Sequence, residues 1–319
     1  MSFSAVVRGK ETEYLTVEAG ADSVQIPVAT VTGRAHGPTL LVVAGVHGSE
    51  YVGIEATRRL FRWVDADRLT GTLITVPCLN VPAFYALSMH VNPVDGKNLG
   101  DTFPGSDDGT ITDRIARTVF GSLVAQADFV LDVHGGDLEE ELVEYSQVDL
   151  TGNEEVDAAA EALARALDMP MFLRSPVPDA LPSRGSLFTM ASVQGKPSVL
   201  LEAGSHGIVD EPVVAVQFKA LRNALHQLGM LPGEPLVSNP EPLELHRFVG
   251  VEAPVEGAWY PYVLKGDIVE KGQPLGELRD FFGAKLAVLS SEEDAAILGV
   301  MTIPPRRKGD WVMGLGTLR

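Results

Sequence analysis

The sequence predicts an α/β protein: a large α/β/α domain with a mixed sheet, followed by a smaller β-domain. Three observations lead there. Apolar, β-branched runs of strand length at 39–45, 72–79, 128–134 and 198–203 alternate with longer stretches of helical period. That alternation is the mark of buried strands separated by helices. A stretch over 231–242 carrying Pro232, Pro235, Pro240 and Pro242 then interrupts the pattern as a linker. Beyond it the helical period mostly stops, and short strands alternate with glycine turns, as in Lys265-Gly266-Asp267 and Lys271-Gly272-Gln273. The expected division is an α/β unit over 1–232 and a β-domain over 243–319, with 319 residues leaving room for both.

Taken in order, residues 1–38 alternate apolar and polar positions, as in Val24-Gln25-Ile26-Pro27-Val28, and read as an antiparallel ribbon ended by Gly33 and Gly37-Pro38. Strand 39–45 follows, then helix 51–64 with Ile54, Leu60, Phe61 and Val64 on roughly one face. Thr70-Gly71 turns the chain into strand 72–79. Residues 80–110 are rich in Asn, Pro, Gly and Asp and read as a long loop, which Phe84, Tyr85, Phe103 and Pro104 can pack in place. Helix 112–126, strand 128–134 and helix 153–168 come next, the last with Val156, Ala160, Leu163 and Leu167 inward. Residues 170–182 read as a proline-rich loop. Helix 184–194, strand 198–203 and helix 211–230 close the domain, with Val214, Phe218, Leu221 and Leu225 at helical spacing.

Composition narrows the function. Twenty-five Lys and Arg stand against 43 Asp and Glu, a net charge of −18. Nucleic-acid binding needs a basic face, and docking on anionic lipid needs basic clusters, so both are excluded as expectations. Hydrophobic residues reach 45%, enough for a sizeable core. Cys78, the single cysteine, sits in an apolar run and reads as core, so neither an internal disulfide nor a thiolate metal site is expected. The start of the chain has charged residues and no apolar span, so a cytoplasmic location is the default expectation.

The chemistry concentrates at strand ends. Strand 39–45 breaks at Gly45 and presents His47 and Glu50 across Gly48-Ser49 just before a helix. In an α/β sheet such a turn lies at the carboxyl edge, where these folds keep their sites. Imidazole and carboxylate are good zinc ligands, but two do not hold the ion alone. Strand 128–134 repeats the arrangement, an apolar run ending in His134-Gly135-Gly136-Asp137. Two parallel strands could bring both histidines to one edge, which makes His134 the third ligand. Asp132, two residues earlier on the same face, could orient a ligand imidazole. Glu202 is a carboxylate at the end of apolar strand 198–203. His36, His206, His226 and His246 read as structural or surface residues.

In order along the chain stand His47-Gly48-Ser49-Glu50, then Asn92-Pro93-Val94-Asp95-Gly96-Lys97-Asn98-Leu99 with Phe103-Pro104-Gly105, then Asp132-Val133-His134 and Glu202-Ala203-Gly204. This set resembles the succinylglutamate desuccinylase/aspartoacylase family of zinc hydrolases, relatives of the zinc carboxypeptidases. The resemblance covers most of 38–230, and the downstream β-domain is similar to that family's C-terminal domain. It implies a zinc carboxypeptidase-like α/β/α domain and one Zn²⁺ per chain held by His47, Glu50 and His134. The ion would acidify a water molecule. Glu202 would be the general base that takes the water proton and passes it to the leaving amine. The Lys-Gly-Asp pattern is similar to biotinyl and lipoyl folds, but no lysine stands in the central motif, so no such modification is expected.

Two departures from the family bear on substrate. The Asn-Arg pair that binds a substrate carboxylate in relatives is replaced by Gly100-Asp101, after Asn98. An upstream arginine credited with polarising the carbonyl falls at His90. Asp101 would repel an acidic substrate and suit a cationic or neutral one. The expected reaction is hydrolysis of a small N-acylated amino acid or amine, with Asn98, Asp101 and Arg184 at the substrate and His90 in the arginine's catalytic place. Two rivals are a carboxypeptidase-like peptidase and a metal- or ligand-sensing protein without catalysis. A homo-oligomer is compatible with the exposed sheet edges such folds carry.

Overall fold

The computed structural model describes residues 9–177, 183–238 and 241–319. The first residues of the expected ribbon, the end of the 170–182 loop and part of the 231–242 linker lie outside the described residues.

The apolar runs form a nine-stranded mixed sheet. The elements of this part of the chain begin, in order, with β1 (Gly9–Ala19), β2 (Asp22–Thr32), β3 (Ala35–Ala44), α1 (Tyr51–Trp63), β4 (Thr70–Val76), α2 (Val81–Ala86) and α3 (Ile111–Ser122). They continue with β5 (Phe129–His134), β6 (Glu140–Leu142), β7 (Tyr145–Leu150), α4 (Glu154–Ala166), β8 (Met171–Pro176), α5 (Leu187–Val193), β9 (Ser198–Glu202), α6 (Glu211–Gln227) and β10 (Leu243–Leu245). The spatial order is β1-β2-β4-β3-β5-β9-β7-β8-β10. β4, β3, β5 and β9 run parallel at its centre; β2 joins β4 antiparallel, and β7 joins β9 antiparallel.

The continuous apolar character of β3 has a physical cause. Helices cover both faces of the sheet, so every side chain of Leu40–Ala44 is buried. Leu40, Val42 and Ala44 pack with α1, α4 and α6, while Leu41 and Val43 pack with α3 and α5. Each buried Leu or Val contributes about 1.5–3 kcal/mol, so the strand that carries the site is also among the most firmly held.

The long 80–110 segment is more structured than a loop. It contains α2, whose N-cap Asn80 accepts from the Ala83 amide, and a single 3₁₀ turn at Leu99–Asp101. Two carboxylates pin the rest. Asp95 accepts from the Thr112 amide at 3.0 Å and hydroxyl at 2.7 Å. Asp113 caps α3 through Thr110 and also pairs with Lys97 and Arg184. Burial would raise its carboxyl, but Lys97 first and then Thr110 hold it at about 2. Residues 171–176, expected within a loop, form β8, because Met171, Phe172 and Leu173 are buried between β7 and β10. The expected helix 112–126 ends at Ser122 and gives way to a 3₁₀ turn over Val124–Gln126.

The C-terminal residues form two antiparallel sheets. The strands are β11 (Phe248–Glu252), β12 (Gly257–Pro261), β13 (Ile268–Val269), β14 (Pro274–Arg279), β15 (Lys285–Ser290), β16 (Ala295–Met301), β17 (Pro305–Arg306) and β18 (Trp311–Thr317). One sheet has the order β11-β18-β16-β13, and β6 pairs with β16; the other has the order β15-β14-β12-β17. The β6–β16 pairing fastens the stretch just after His134 onto the C-terminal sheets. No helix among the described residues is long and apolar enough to cross a membrane.

Candidate metal and catalytic site

Three neighbouring parallel strands deliver the site. The turn after β3 carries His47 and Glu50, β5 ends at His134, and β9 ends at Glu202, in register with His134. The carboxyl edge expected from the strand pattern is therefore where all four residues meet.

Both histidines turn Nδ1 toward Glu50. His47 Nδ1 lies 2.6 Å from Glu50 Oε1, and His134 Nδ1 lies 3.0 Å from Glu50 Oε2. Ligand atoms of the three residues all fall within 4.8 Å of one another. The opposite ring nitrogens are anchored outside this cluster. His134 Nε2 is 3.0 Å from Asp132 Oδ1, and His47 Nε2 is 3.1 Å from Asn98 Oδ1. Asp132 is itself fixed by the Phe188 amide on its other oxygen. Such outer partners set the tautomer and aim of a ligand imidazole.

The residues fit a metal. Two imidazole nitrogens and one carboxylate make a three-ligand set that leaves a position open, as in catalytic zinc sites. Glu50 Oε2 is buried and has no aligned hydrogen-bond donor, which an ion would remedy. Burial would raise the Glu50 carboxyl, but His134 and His47 outweigh it and hold it at about 2. Conversely, Glu50 carries both imidazoles above the usual histidine value against the opposing effect of burial.

Glu202 stands beside this cluster. Its Oε2 is buried and has no hydrogen-bond partner. Burial raises its carboxyl well above the ordinary range; His134 opposes this, and Glu50 and Glu140 add to it. A carboxylate raised in this way is suited to taking a proton and releasing it again.

Of the remaining expected residues, His90 and Asn98 touch His47, while Asp101 and Arg184 do not reach the His47–Glu50–His134 cluster directly. His90 lies edge-on to His47, with ring centroids 5.4 Å apart. Its Nδ1 is 3.2 Å from Asp137 Oδ2, while Asp137 Oδ1 accepts from the Ser49 hydroxyl and the Leu138 amide. Burial and His47 lower the His90 pKa, and Asp137 works against them. Asn98 does two jobs: its Oδ1 faces His47, and its Nδ2 donates to Asp101 Oδ2 at 2.8 Å. Asp101 is exposed. A Cβ at Gly100 would stand 2.9 Å from His47 Nε2, so a side chain there would disturb the His47–Asn98 contact. Arg184 is tied to Asp113 at 3.0 Å, and its neighbour Gly185 pairs with Phe103, which places it beside the 97–103 segment.

Three residues of this neighbourhood were not singled out from sequence. Asp137 follows His134-Gly135-Gly136 directly, and that polar position after a strand-end histidine was the available signal. Glu140 is buried, and its carboxyl is pushed up to about 8 by burial and by Glu50. Tyr145 is buried opposite Glu202. Neither lies in a periodic stretch, so no pattern marked them.

The sheet brings two histidines, the glutamate between them and a separate carboxylate to adjacent strand ends, and the chain belongs to the succinylglutamate desuccinylase/aspartoacylase family, whose catalytic domain matches residues 36–228. Among individual relatives, the N-alpha-acetyl-L-2,4-diaminobutyric acid deacetylase of Halomonas elongata is 32% identical over 267 residues, 82% of this chain and 76% of that one. A succinylglutamate desuccinylase from Silicibacter sp. TM1040 superposes with a TM-score of 0.86 at 25% identity, over 100% of this chain and 98% of the other. The product-bound ectoine utilization protein EutE (DoeB) of Ruegeria pomeroyi superposes equally well, TM-score 0.86 at 27% identity, over 99% and 98% of the two chains.

The outer contacts give a first prediction. Asp132→Ala and Asn98→Ala each free one imidazole to rotate, and either should weaken zinc binding by about 10–100-fold. Competition with a chromophoric chelator measures this. Unchanged affinity in both variants would show that the rings are held by packing alone.

Proposed function

We propose that the chain is a zinc-dependent deacylase of a small N-acylated amino acid that carries a second, cationic amine. The observation that supports it most is the convergence of His47, Glu50 and His134 on one point with Glu202 in register beside it. His47, Glu50 and His134 would hold the zinc ion, which would supply a Lewis acid and acidify a water molecule at neutral pH. Glu202 accepts the proton of the attacking water as its oxygen bonds to the acyl carbon. The same proton goes to the amide nitrogen as the C–N bond breaks, giving a carboxylic acid and an amine; the acid's proton then passes to the amine, leaving a carboxylate and an ammonium ion at neutral pH. His90, braced by Asp137, takes the arginine's place at the carbonyl oxygen. In this reading residues 1–232 form the hydrolytic unit, whose sheet β10 (Leu243–Leu245) completes, and the rest of 243–319 forms a β-unit that braces it; the pairing of β6 with β16 supports the bracing role.

The charge at the rim supports the substrate class. Asp101 is exposed and oriented by Asn98, and no second carboxylate clamp of Asn-Arg type stands at 100–101. The diaminobutyrate deacetylase relative acts, by its name, on an N-acetyl diamino acid, whose free amine is a cation at neutral pH. Asp101 supplies the opposite charge.

The experiment compares N-acetyl-2,4-diaminobutyrate with N-acetylaspartate on the zinc-loaded enzyme, wild type and Asp101→Arg. Wild type should favour the cationic amide. The variant should lose about tenfold or more in kcat/KM toward it and gain toward the acidic one. An unchanged preference would remove Asp101 from substrate selection.

A further inference from the structure

The hairpin of β14 and β15 ends in Asp280-Phe281-Phe282-Gly283, and both phenylalanines stand free in solvent, with relative exposures of 105% and 96%. Two adjacent, fully exposed aromatic rings are a strong apolar feature on a chain of net charge −18. Beside them runs a groove of about 780 Å³ whose apolar wall includes Val255, Ala258, Leu286, Pro304 and Pro305. Phe281 belongs to both features, since it lines the groove and forms half of the tip. β15 lies at the edge of its sheet, and Leu286 and Val288, two residues apart on one face, are exposed along it.

From this layout we propose that the hairpin tip and groove form a two-fold interface between two copies of this chain, with Phe282 of each copy seated in the groove of the other. Two arguments favour a second copy as the occupant. Knob and hole are contiguous on one patch, which a two-fold axis needs if each copy is to give and receive the same contact. The groove also carries charge that complements itself: Arg279, Arg306 and Arg307 line it together with Glu256, Asp280 and Asp310. Three charges of each sign make this patch neutral on a strongly acidic chain. Two copies therefore approach there with less repulsion than elsewhere; Arg306 is buried on Glu139 and Arg279 is held by Glu277, which leaves Arg307 to face a carboxylate of the other copy. The site residues lie on the other sheet, at the ends of β3, β5 and β9, so assembly leaves the hydrolytic site in place.

Sedimentation velocity of the full chain at tens of micromolar tests this. Wild type should sediment as a dimer, and Phe281→Asp/Phe282→Asp should raise the dissociation constant by about 30-fold or more. Leu286→Lys, in the lining of the same groove, should act in the same direction. Both tip positions are exposed, and an unchanged circular dichroism spectrum confirms folding. A wild-type monomer at these concentrations overturns the proposal and leaves the patch to a different macromolecule. A dimer that survives both variants overturns it equally, because the interface then lies elsewhere.

Discussion

Glu202→Gln is expected to lower kcat by about 10²–10⁴-fold while leaving zinc content and fold intact. The substitution keeps the shape of a half-buried side chain at the end of β9 and removes its ability to hold a proton. Glu202 is in register with His134, so loss of the base does not move the metal ligands. The measurement is kcat on N-acetyl-2,4-diaminobutyrate, with zinc stoichiometry determined on the same sample. Glu140 is the neighbouring carboxyl to compare. It stands on β6, which pairs with β16, whereas Glu202 ends the central strand that pairs with β5 at His134. Glu140→Gln should therefore cost far less than Glu202→Gln. Comparable losses in the two variants would reassign the base.

The second large effect is at the metal. His134→Ala should abolish stoichiometric zinc and, with it, turnover. It removes one of three ligands and strands the buried Glu50 Oε2. Uptake of zinc by the metal-free protein should also depend on pH, with a sign set by the geometry. Glu50 raises the pKa of His47 and of His134 above the ordinary histidine value, so both rings hold protons to a higher pH than free imidazole. Zinc must displace those protons. Affinity should therefore rise with pH through and above the usual histidine range, and fall on the acid side. Calorimetric titration in buffers of different ionisation heat counts the protons released. Zinc binding that is independent of pH, with no proton release, would mean that these rings are not the ligands.

The strand-end positions of His47, Glu50, His134 and Glu202 were legible because buried parallel strands leave a plain mark: an apolar run that stops at a polar residue. Asp132 was legible from strand alternation. The 135–152 stretch was not. Gln147 and Asp149 interrupt the apolar pattern of β7, because they face polar partners on α5 and each other rather than core. β8 was hidden by its flanking prolines, and its pairing with β7 and β10 is a tertiary fact that no local pattern records. The double duty of Asn98 was likewise invisible. Its motif suggested a substrate contact, whereas its side chain spans His47 and Asp101, a link made across 51 residues of chain on the His47 side.

Stepwise addition of zinc to metal-free protein, with amine release from N-acetyl-2,4-diaminobutyrate followed at each step, tests the central claim most directly. Activity should climb in proportion to added metal and level off at one zinc per chain. Deacetylation by the metal-free chain, or full loading with one zinc and no amine released from this or any other N-acyl amino acid tested, would contradict it.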